Sequence, residues 1–389
     1  MCFFFVFTLV SWAQPAQPSQ LGLSTNGEGY PRLPFYGAGY LTVAPDARTA
    51  AMGNAGVAIA TDVNAVYWNA AGLVRMEDQY SASFSYTPWA SQVANNMYMM
   101  NASVAQKLGK KSAIGLSFTY FNLGDYRFFS SGSQQPISVK PYDLSASLTY
   151  SYALSDKWSL GGSVKYLGNN YSYNNLARNS GDYSASWAVD IGALFQQEVS
   201  LLNNDSKLSL GAAVSNLGPK VEKTERVDMY LPARLALGAA FSTQFNLNHK
   251  LTLTTSASKL LIPTLPVSQY DQGNIVGIAR GKDPTRGWFS GTFGSFTDAP
   301  DGFSEELSEI QLNLGMEYNF HKNYYFRAGY HHESEDKGDI KYLTLGLGFK
   351  YRMLNLDLGY TLFDDGLFSH PMNNTLRATL RLGLNGKKD

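Results

Sequence analysis

A single cysteine, Cys2, is all the thiol in the 389 residues, and it sits in the apolar run Cys2 to Val10. Beyond that run the chain offers no disulfide, no thiolate metal site and no thiol nucleophile. Charge is scarce as well: Asp, Glu, Lys and Arg make up 16 %, against roughly 25 % in ordinary soluble domains. The 31 basic and 31 acidic residues cancel, which removes the electrostatic footprint of a nucleic-acid or polyanion binder. Past the N-terminal run, nothing approaches the roughly 18 continuous apolar residues that a membrane helix requires. Gly-x-Ser-x-Gly, His-Glu-x-x-His and a phosphate loop are all missing, so the common hydrolase, metalloprotease and nucleotide signatures give no support to an enzyme.

What the chain has in excess is aromatic side chains, 14 %, arranged with period two. Tyr80, Ala82, Phe84 and Tyr86 alternate with Ser81, Ser83 and Ser85, the pattern of a strand with one apolar face. The pattern returns at Tyr98–Leu108, Ile114–Tyr120, Tyr142–Tyr150, Trp158–Tyr166, Tyr183–Ile191, Leu208–Val214, Ala233–Phe241 and Leu251–Leu261. It continues through Ile310–Phe320, Tyr324–Tyr330, Leu343–Tyr351, Leu354–Tyr360 and Leu376–Leu384. About fourteen strands of roughly ten residues predict an all-β fold, a transmembrane antiparallel β-barrel, since tilted strands of that length cross a bilayer and an even count closes.

The connections sort by length. Short turns fall at Gly109–Lys111, Ser155–Lys157, Asn246–Lys250, His321–Asn323 and Arg352–Met353, with Glu198–Ser206 as a longer exception. Between them lie Leu123–Pro141, Asn174–Gly181, Gly218–Leu231, Ile262–Ser308, His332–Asp339 and Phe363–Asn373. Long loops of one parity are the mark of an outer-membrane barrel, whose periplasmic turns are short and extracellular loops long. A soluble antiparallel sandwich shares the period but has no reason to sort its loops.

Ala44 to Leu73 does not behave like a strand. It is rich in small residues, and Asp46, Arg48, Asp62, Trp68 and Asn69 put polar groups among short apolar turns. We read it as a plug inside the barrel, a linker being the alternative. The face opposite the apolar one carries Lys165, Arg234, Arg327, Lys350, Arg377 and Arg381 against Asp143, Asp190, Glu309, Glu317 and Asp357. Mixed signs suit a filled, paired lumen better than an ion-selective pore, while pairs along the wall of a wet lumen remain the other reading. The expected organisation is a signal peptide over 1–13, though without a basic start, a lead-in and plug over 14–79, and the barrel over 80–389.

Ala44-Pro45-Asp46-Ala47-Arg48, Met52-Gly53-Asn54-Ala55-Gly56-Val57-Ala58, Asp62 and Trp68-Asn69-Ala70-Ala71 closely resemble the PorV/PorQ family of outer-membrane proteins. Ser85-Tyr86-Thr87-Pro88-Trp89, Tyr120-Phe121-Asn122-Leu123-Gly124, Ser215 to Lys220 and Leu231 to Gly238 extend the resemblance, and Thr87-Pro88-Trp89 favours the PorV type. The resemblance implies kinship with the long-chain fatty-acid transporters, fourteen-stranded barrels with an N-terminal hatch. It further implies a non-enzymatic shuttle of the type IX secretion system of Bacteroidetes. Such a shuttle takes cargo by its C-terminal signal domain at the outer-membrane translocon and delivers it to the attachment complex, whose peptidase removes the signal. One departure is Asn69-Ala70-Ala71 where the family has Asn-Pro-Ala; losing proline frees a φ and restores a donor, so a looser or differently bonded turn is expected. Transport of fatty acids or other hydrophobic molecules is the alternative function. The polar lumen counts against it, since such a ligand needs an apolar pocket.

Other constellations are weaker. His331-His332-Glu333 alternates sides on an extended segment, which is poor geometry for one metal. Ser369-His370 beside Asp364-Asp365 reads as solvated loop, and Asp298-Ala299-Pro300-Asp301-Gly302 as a tight turn rather than a calcium loop. No cofactor or metal is expected, and no nucleic acid; membrane lipids surround the barrel. The longest loop holds Tyr270, Trp288, Phe289, Phe293, Phe296 and Phe303 with Arg280 and Arg286, the residue types that anchor protein interfaces. We expect it to bind partners, a lid over the mouth being the competing role.

Overall fold

A computed structural model describes residues 32–89, 96–128, 136–170, 183–201, 204–223, 227–272, 274–363 and 375–385. The run 1–13 and Ser369-His370 beside Asp364-Asp365 lie outside the described residues.

Strands follow one another almost without interruption after residue 80. The first group is β1 (Tyr80–Pro88), β2 (Met97–Lys107), β3 (Ser112–Leu123), β4 (Tyr126–Phe128), β5 (Ile137–Val139), β6 (Tyr142–Ala153) and β7 (Trp158–Asn170). Next come β8 (Tyr183–Leu201), β9 (Asn204–Leu217), β10 (Val221–Lys223), β11 (Val227–Met229), β12 (Arg234–Asn246), β13 (His249–Leu260), β14 (Val267–Asp271) and β15 (Asn274–Arg280). Last are β16 (Ile310–Phe320), β17 (Tyr324–His332), β18 (Lys341–Tyr351), β19 (Leu354–Phe363) and β20 (Thr375–Leu384). Fourteen of them close an antiparallel barrel in the order β1-β2-β3-β6-β7-β8-β9-β12-β13-β16-β17-β18-β19-β20, and β4-β5, β10-β11 and β14-β15 are small hairpins in its long loops. Ring closure is made by β1 on β20, with Tyr80 opposite Leu384 and Tyr86 opposite Ala378.

Alternation decides which face is which. Along β1, Ser81, Ser83, Ser85 and Thr87 are buried, while Phe84 and Tyr86 face outward. The same outward face carries Leu116, Leu148, Val164, Ile191, Leu314, Leu345 and Leu380, an apolar belt whose burial is supplied by lipid. Aromatic pairs mark its upper edge, with ring centroids 5.7 Å apart for Tyr86–Tyr98 and 5.4 Å for Tyr120–Tyr142. The lower edge has Trp158–Phe195 at 4.9 Å and Tyr324–Phe349 at 5.4 Å, which gives two girdles at the heights where rings meet headgroups. No described helix is long and apolar enough to cross a membrane; the strands do it.

The expected parity of the loops holds, with one correction. The segment Glu198–Ser206 is not a long turn: β8 and β9 pair continuously down to Leu201 opposite Asn204. Gln196, Gln197 and Glu198 look loop-like because both faces turn polar there. Below the lower girdle an outward polar side chain meets water and costs nothing.

Residues 32–79 run through the lumen from the long-loop end to the short-turn end. Arg32 is bonded to Asp301 and Glu305 in the longest loop, and Arg75 donates to the carbonyls of Ser155 and Asp156 in a short turn. Between these points lie two 3-10 turns, Gly39–Thr42 and Ala70–Arg75, and two one-turn helices, Ala47–Ala50 and Ala65–Trp68. Ala47, Met52, Ala55, Val63, Ala65, Ala71 and Leu73 are sealed from solvent.

Candidate functional site

Inside the barrel the charged and amide side chains of the segment 46–69 all have partners. Asp46 caps the helix Ala47–Ala50 by accepting from Thr49 N–H at 2.8 Å, and its other oxygen accepts from Trp68 Nε1 at 2.7 Å. Cap and indole thus tie the two inner helices together. Arg48 forks onto Glu317 of β16 through Nε and Nη2, both at 2.9 Å, and reaches Asp62 at 3.3 Å. Asp62 is also held by Arg381 of β20. Glu317 takes a second arginine, Arg327 of β17, at 2.7 Å, and Arg327 pairs with Asp357 of β19 at 2.8 Å. Three arginines and three carboxylates therefore form one chain of pairs across four wall strands, in which no charge is left alone in the low-dielectric interior. Arg234 stands 5.9 Å from the Trp68 ring.

Asn69 explains how the turn manages without the usual proline. Its Oδ1 accepts from Ala71 N–H at 3.2 Å, and its Nδ2 donates to the carbonyls of Val57 at 2.9 Å and Ala193 of β8 at 3.0 Å. The wall makes room for it with glycine: a Cβ at Gly192 would lie 2.1 Å from Asn69 Oδ1, and one at Gly161 opposite would lie 2.4 Å from Ala70. Sequence reasoning passed over these wall glycines, since a strand glycine betrays a close backbone approach only once its inward direction is known.

Two small cavities lie along this path. One, of about 40 Å³, is bordered by Arg32, Leu260, Ile262 and Glu333; the other, about 20 Å³, by Tyr40, Tyr67, Met99 and Lys165. Neither approaches the roughly 300 Å³ at which sites for small organic ligands begin.

At the outer mouth the longest loop is built rather than slack. It holds the β14-β15 hairpin and the short helices Trp288–Gly294 and Phe303–Ser308. Arg286 pairs with the buried Asp298 at 2.6 Å and Arg280 with Asp301, so both arginines are engaged within the loop. Trp288 packs beside Tyr230, Leu260 and Ile262, whereas Phe289 is 62 %, Phe293 49 % and Phe303 76 % exposed. Tyr270 and Phe296 are exposed too.

A set of ion pairs that the sequence did not announce fastens this loop. Lys337, between β17 and β18, reaches Glu305 at 2.7 Å and Glu309 at 2.8 Å; Lys259 of β13 takes Glu306 at 2.8 Å and Glu309; Arg32 takes Glu305 at 2.7 Å. Burial alone would raise the Glu305 carboxyl, but hydrogen bonds from Lys337, Asp301 N–H and Arg32 hold it below its usual value. The hydrogen bond from Arg32 does the same for Asp301. Burial pushes Asp298 the other way.

His331 and His332 separate as strand geometry requires. His331 bonds Asn313 Oδ1 at 2.6 Å and stacks on Tyr342 at 4.6 Å, while His332 lies against Tyr330. No cluster of three potential metal ligands occurs among the described residues.

A family model described as type IX secretion system protein PorV matches residues 34–267. No curated protein sequence matches. Among solved structures, the TodX deltaS2S3 mutant, a monoaromatic hydrocarbon channel, superposes with a TM-score of 0.53 at 14 % identity, over 87 % of this chain and 98 % of that one. The Pseudomonas putida toluene transporter TodX gives 0.46 at 13 %, over 86 % and 95 %, and the Ralstonia pickettii toluene transporter TbuX 0.44 at 12 %, over 86 % and 95 %. At such identities the first likeness speaks for the fold.

Proposed function

The chain belongs to the PorV family, outer-membrane and non-enzymatic proteins of the type IX secretion system, and from that footing we propose that it works as a shuttle. It would take the C-terminal signal domain of cargo leaving the outer-membrane translocon and pass it to the attachment complex and its peptidase. The observation that carries this reading is the contrast between lumen and mouth. The segment 44–73 acts as a plug, packed against the wall and tied by paired charges, so what the barrel offers a partner is its outer surface. There the loop between β13 and β16 keeps Phe289, Phe293, Phe296 and Phe303 exposed on a frame fixed by ion pairs. A rigid frame with exposed rings suits protein capture, because little ordering entropy is lost on binding.

Passage of a hydrophobic molecule is the second reading, motivated by the shared fold of the TodX variant, a monoaromatic hydrocarbon channel. The small size of both cavities weighs against it. Retention of an isolated type IX C-terminal signal domain by the purified barrel in nanodiscs is the test. Saturable retention is expected; lipid or hydrocarbon uptake without any retention would replace the shuttle by the transporter.

A further inference from the structure

Among the described residues the seam between β8 and β9 is interrupted at its outer end. β8 pairs with β7 along its upper part, from Asn170 opposite Tyr183 down to Trp158 opposite Phe195. With β9 it pairs only from Val189 opposite Leu217 downward. Above that level the β9 side of β8, from Tyr183 to Trp187, has no strand partner among the described residues.

The interruption is built, not frayed. Val189 faces Leu217 but Ile191 faces Val214, so Ser215 and Asn216 together stand opposite Asp190, a bulge that bends β9. Asn216 takes a left-handed φ of 60°. Asp190 accepts from Asn216 N–H at 2.8 Å and pairs with Lys165 at 2.8 Å; Lys165 donates to Asn216 Oδ1 at 2.8 Å, and Asn216 Nδ2 to the Pro232 carbonyl at 3.2 Å. After this buried clamp come Gly218 and Pro219, and proline has no N–H with which to continue a ladder. The hairpin β10-β11 then goes inward, where Val221 and Met229 pack with Tyr40 and Leu41.

The backbone of β8 turns donors and acceptors into the vacated lane. Gln196 N–H points toward β7, bonding the Lys157 carbonyl at 2.8 Å, so by strand alternation the odd-numbered residues face β9. The Trp187 carbonyl agrees: a Cβ on Gly218 would come within 2.2 Å of it. Ala185, two residues further out, therefore presents its N–H and C=O to the lane, and no bond to them from a described residue is found. Beside the lane stand the exposed rings of Trp187, Phe289 and Phe293, linked through the half-buried Trp288: Trp187 lies 6.5 Å and Phe289 5.7 Å from Trp288, and Phe293 4.7 Å from Phe289.

We propose that the β8 edge at Tyr183–Trp187 is a strand-addition site, at which an extended segment of the cargo's C-terminal signal domain takes the lane that β9 leaves. An unpaired ladder edge recognises main chain and so accepts many cargo sequences, while its neighbouring rings select apolar residues at alternate positions. This deepens, and rests on, the shuttle reading.

The test compares retention of an isolated signal domain by full-length barrels carrying Ala185→Pro or no change, in nanodiscs. Proline at 185 removes the donor facing the lane and leaves the β7 ladder, made by even-numbered residues, in place. A loss of affinity of roughly tenfold or more, with heat-modifiable migration unchanged, is expected. Equal retention by both barrels overturns the edge and leaves the shuttle standing; no retention by the unchanged barrel overturns both. Should Ala185→Pro not fold, Ala185→Cys is paired with single cysteines walked along the terminal strand of the signal domain. Disulfides recurring in steps of two residues support the edge, and their absence from a retained domain overturns it.

Discussion

Two regions outside the barrel wall behave in opposite ways: the inner segment 39–76 and the outer loop 261–309. The inner one is made of small residues and buried nearly throughout, with wall glycines admitting its backbone. The outer one carries the large aromatic residues and leaves most of them in the open. Both are fastened by ion pairs, but the inner pairs are enclosed and continuous, Arg381–Asp62–Arg48–Glu317–Arg327–Asp357. Of the outer ones, Arg280–Asp301 is about half exposed while Lys337–Glu305 is covered. The difference teaches where each can change. An enclosed network penalises any single loss heavily, because the remaining partner is left charged and dry; a partly wet one yields gradually.

Four variants bear on this contrast, from the largest effect to the smallest. Arg48→Met leaves Asp62 to Arg381 and Glu317 to Arg327, with three enclosed carboxylates against two arginines, and a loss of about 3–5 kcal/mol is expected from the uncompensated charge; a marked fall in the temperature at which the folded form vanishes from heat-modifiable gels checks it. Gly192→Val puts carbon where Asn69 Oδ1 lies; about 1–3 kcal/mol of overpacking is expected by the same assay. In the outer loop, Trp288, Phe289 and Phe293 replaced together by alanine should leave folding near normal, while surface display of a reporter bearing a signal domain falls. Each lost anchor is expected to weaken capture by about 1–2 kcal/mol, and wild-type display would detach the loop from binding.

The smallest effect is on the loop's fastening. Glu305 and Asp301 have lowered carboxyl values in the folded chain. Their stabilisation is therefore complete above the ordinary carboxylate range and lost as pH falls below about 4, through the folded values. Asp298, raised by burial, does not add to that acid-side loss. Glu305→Gln should mimic part of it at neutral pH, by about 1 kcal/mol or less, seen as faster proteolytic nicking within 261–309; unchanged nicking at pH 7 and pH 3.5 would assign the frame to apolar contacts instead.

The same contrast sets what was legible in the sequence. All fourteen wall strands were readable because lipid outside and polar lumen inside impose a strict period of two, and loop length fixed which end is which. The end of β8 was misread because alternation stops carrying information once both faces meet water. The fastening pairs had no signal at all: Arg32 and Glu305 are 273 positions apart, and nothing local marks either. Trp288 was grouped with the exposed rings, though it packs on Tyr230 and Ile262, since residue type alone does not say which aromatic faces home. Arg280 and Arg286, read as anchors for a partner, are spent on Asp301 and Asp298 within the loop.

The central claim is that the inner segment shuts the lumen and leaves function to the outer surface. Single-barrel recordings in planar bilayers, comparing the intact chain with one lacking 46–69, measure this directly. The account predicts near-silence from the intact protein and a steady pore from the deleted one, lined by Glu317, Arg327, Asp357 and Arg381. Large, steady conductance from the intact chain, unchanged by the deletion, would contradict it.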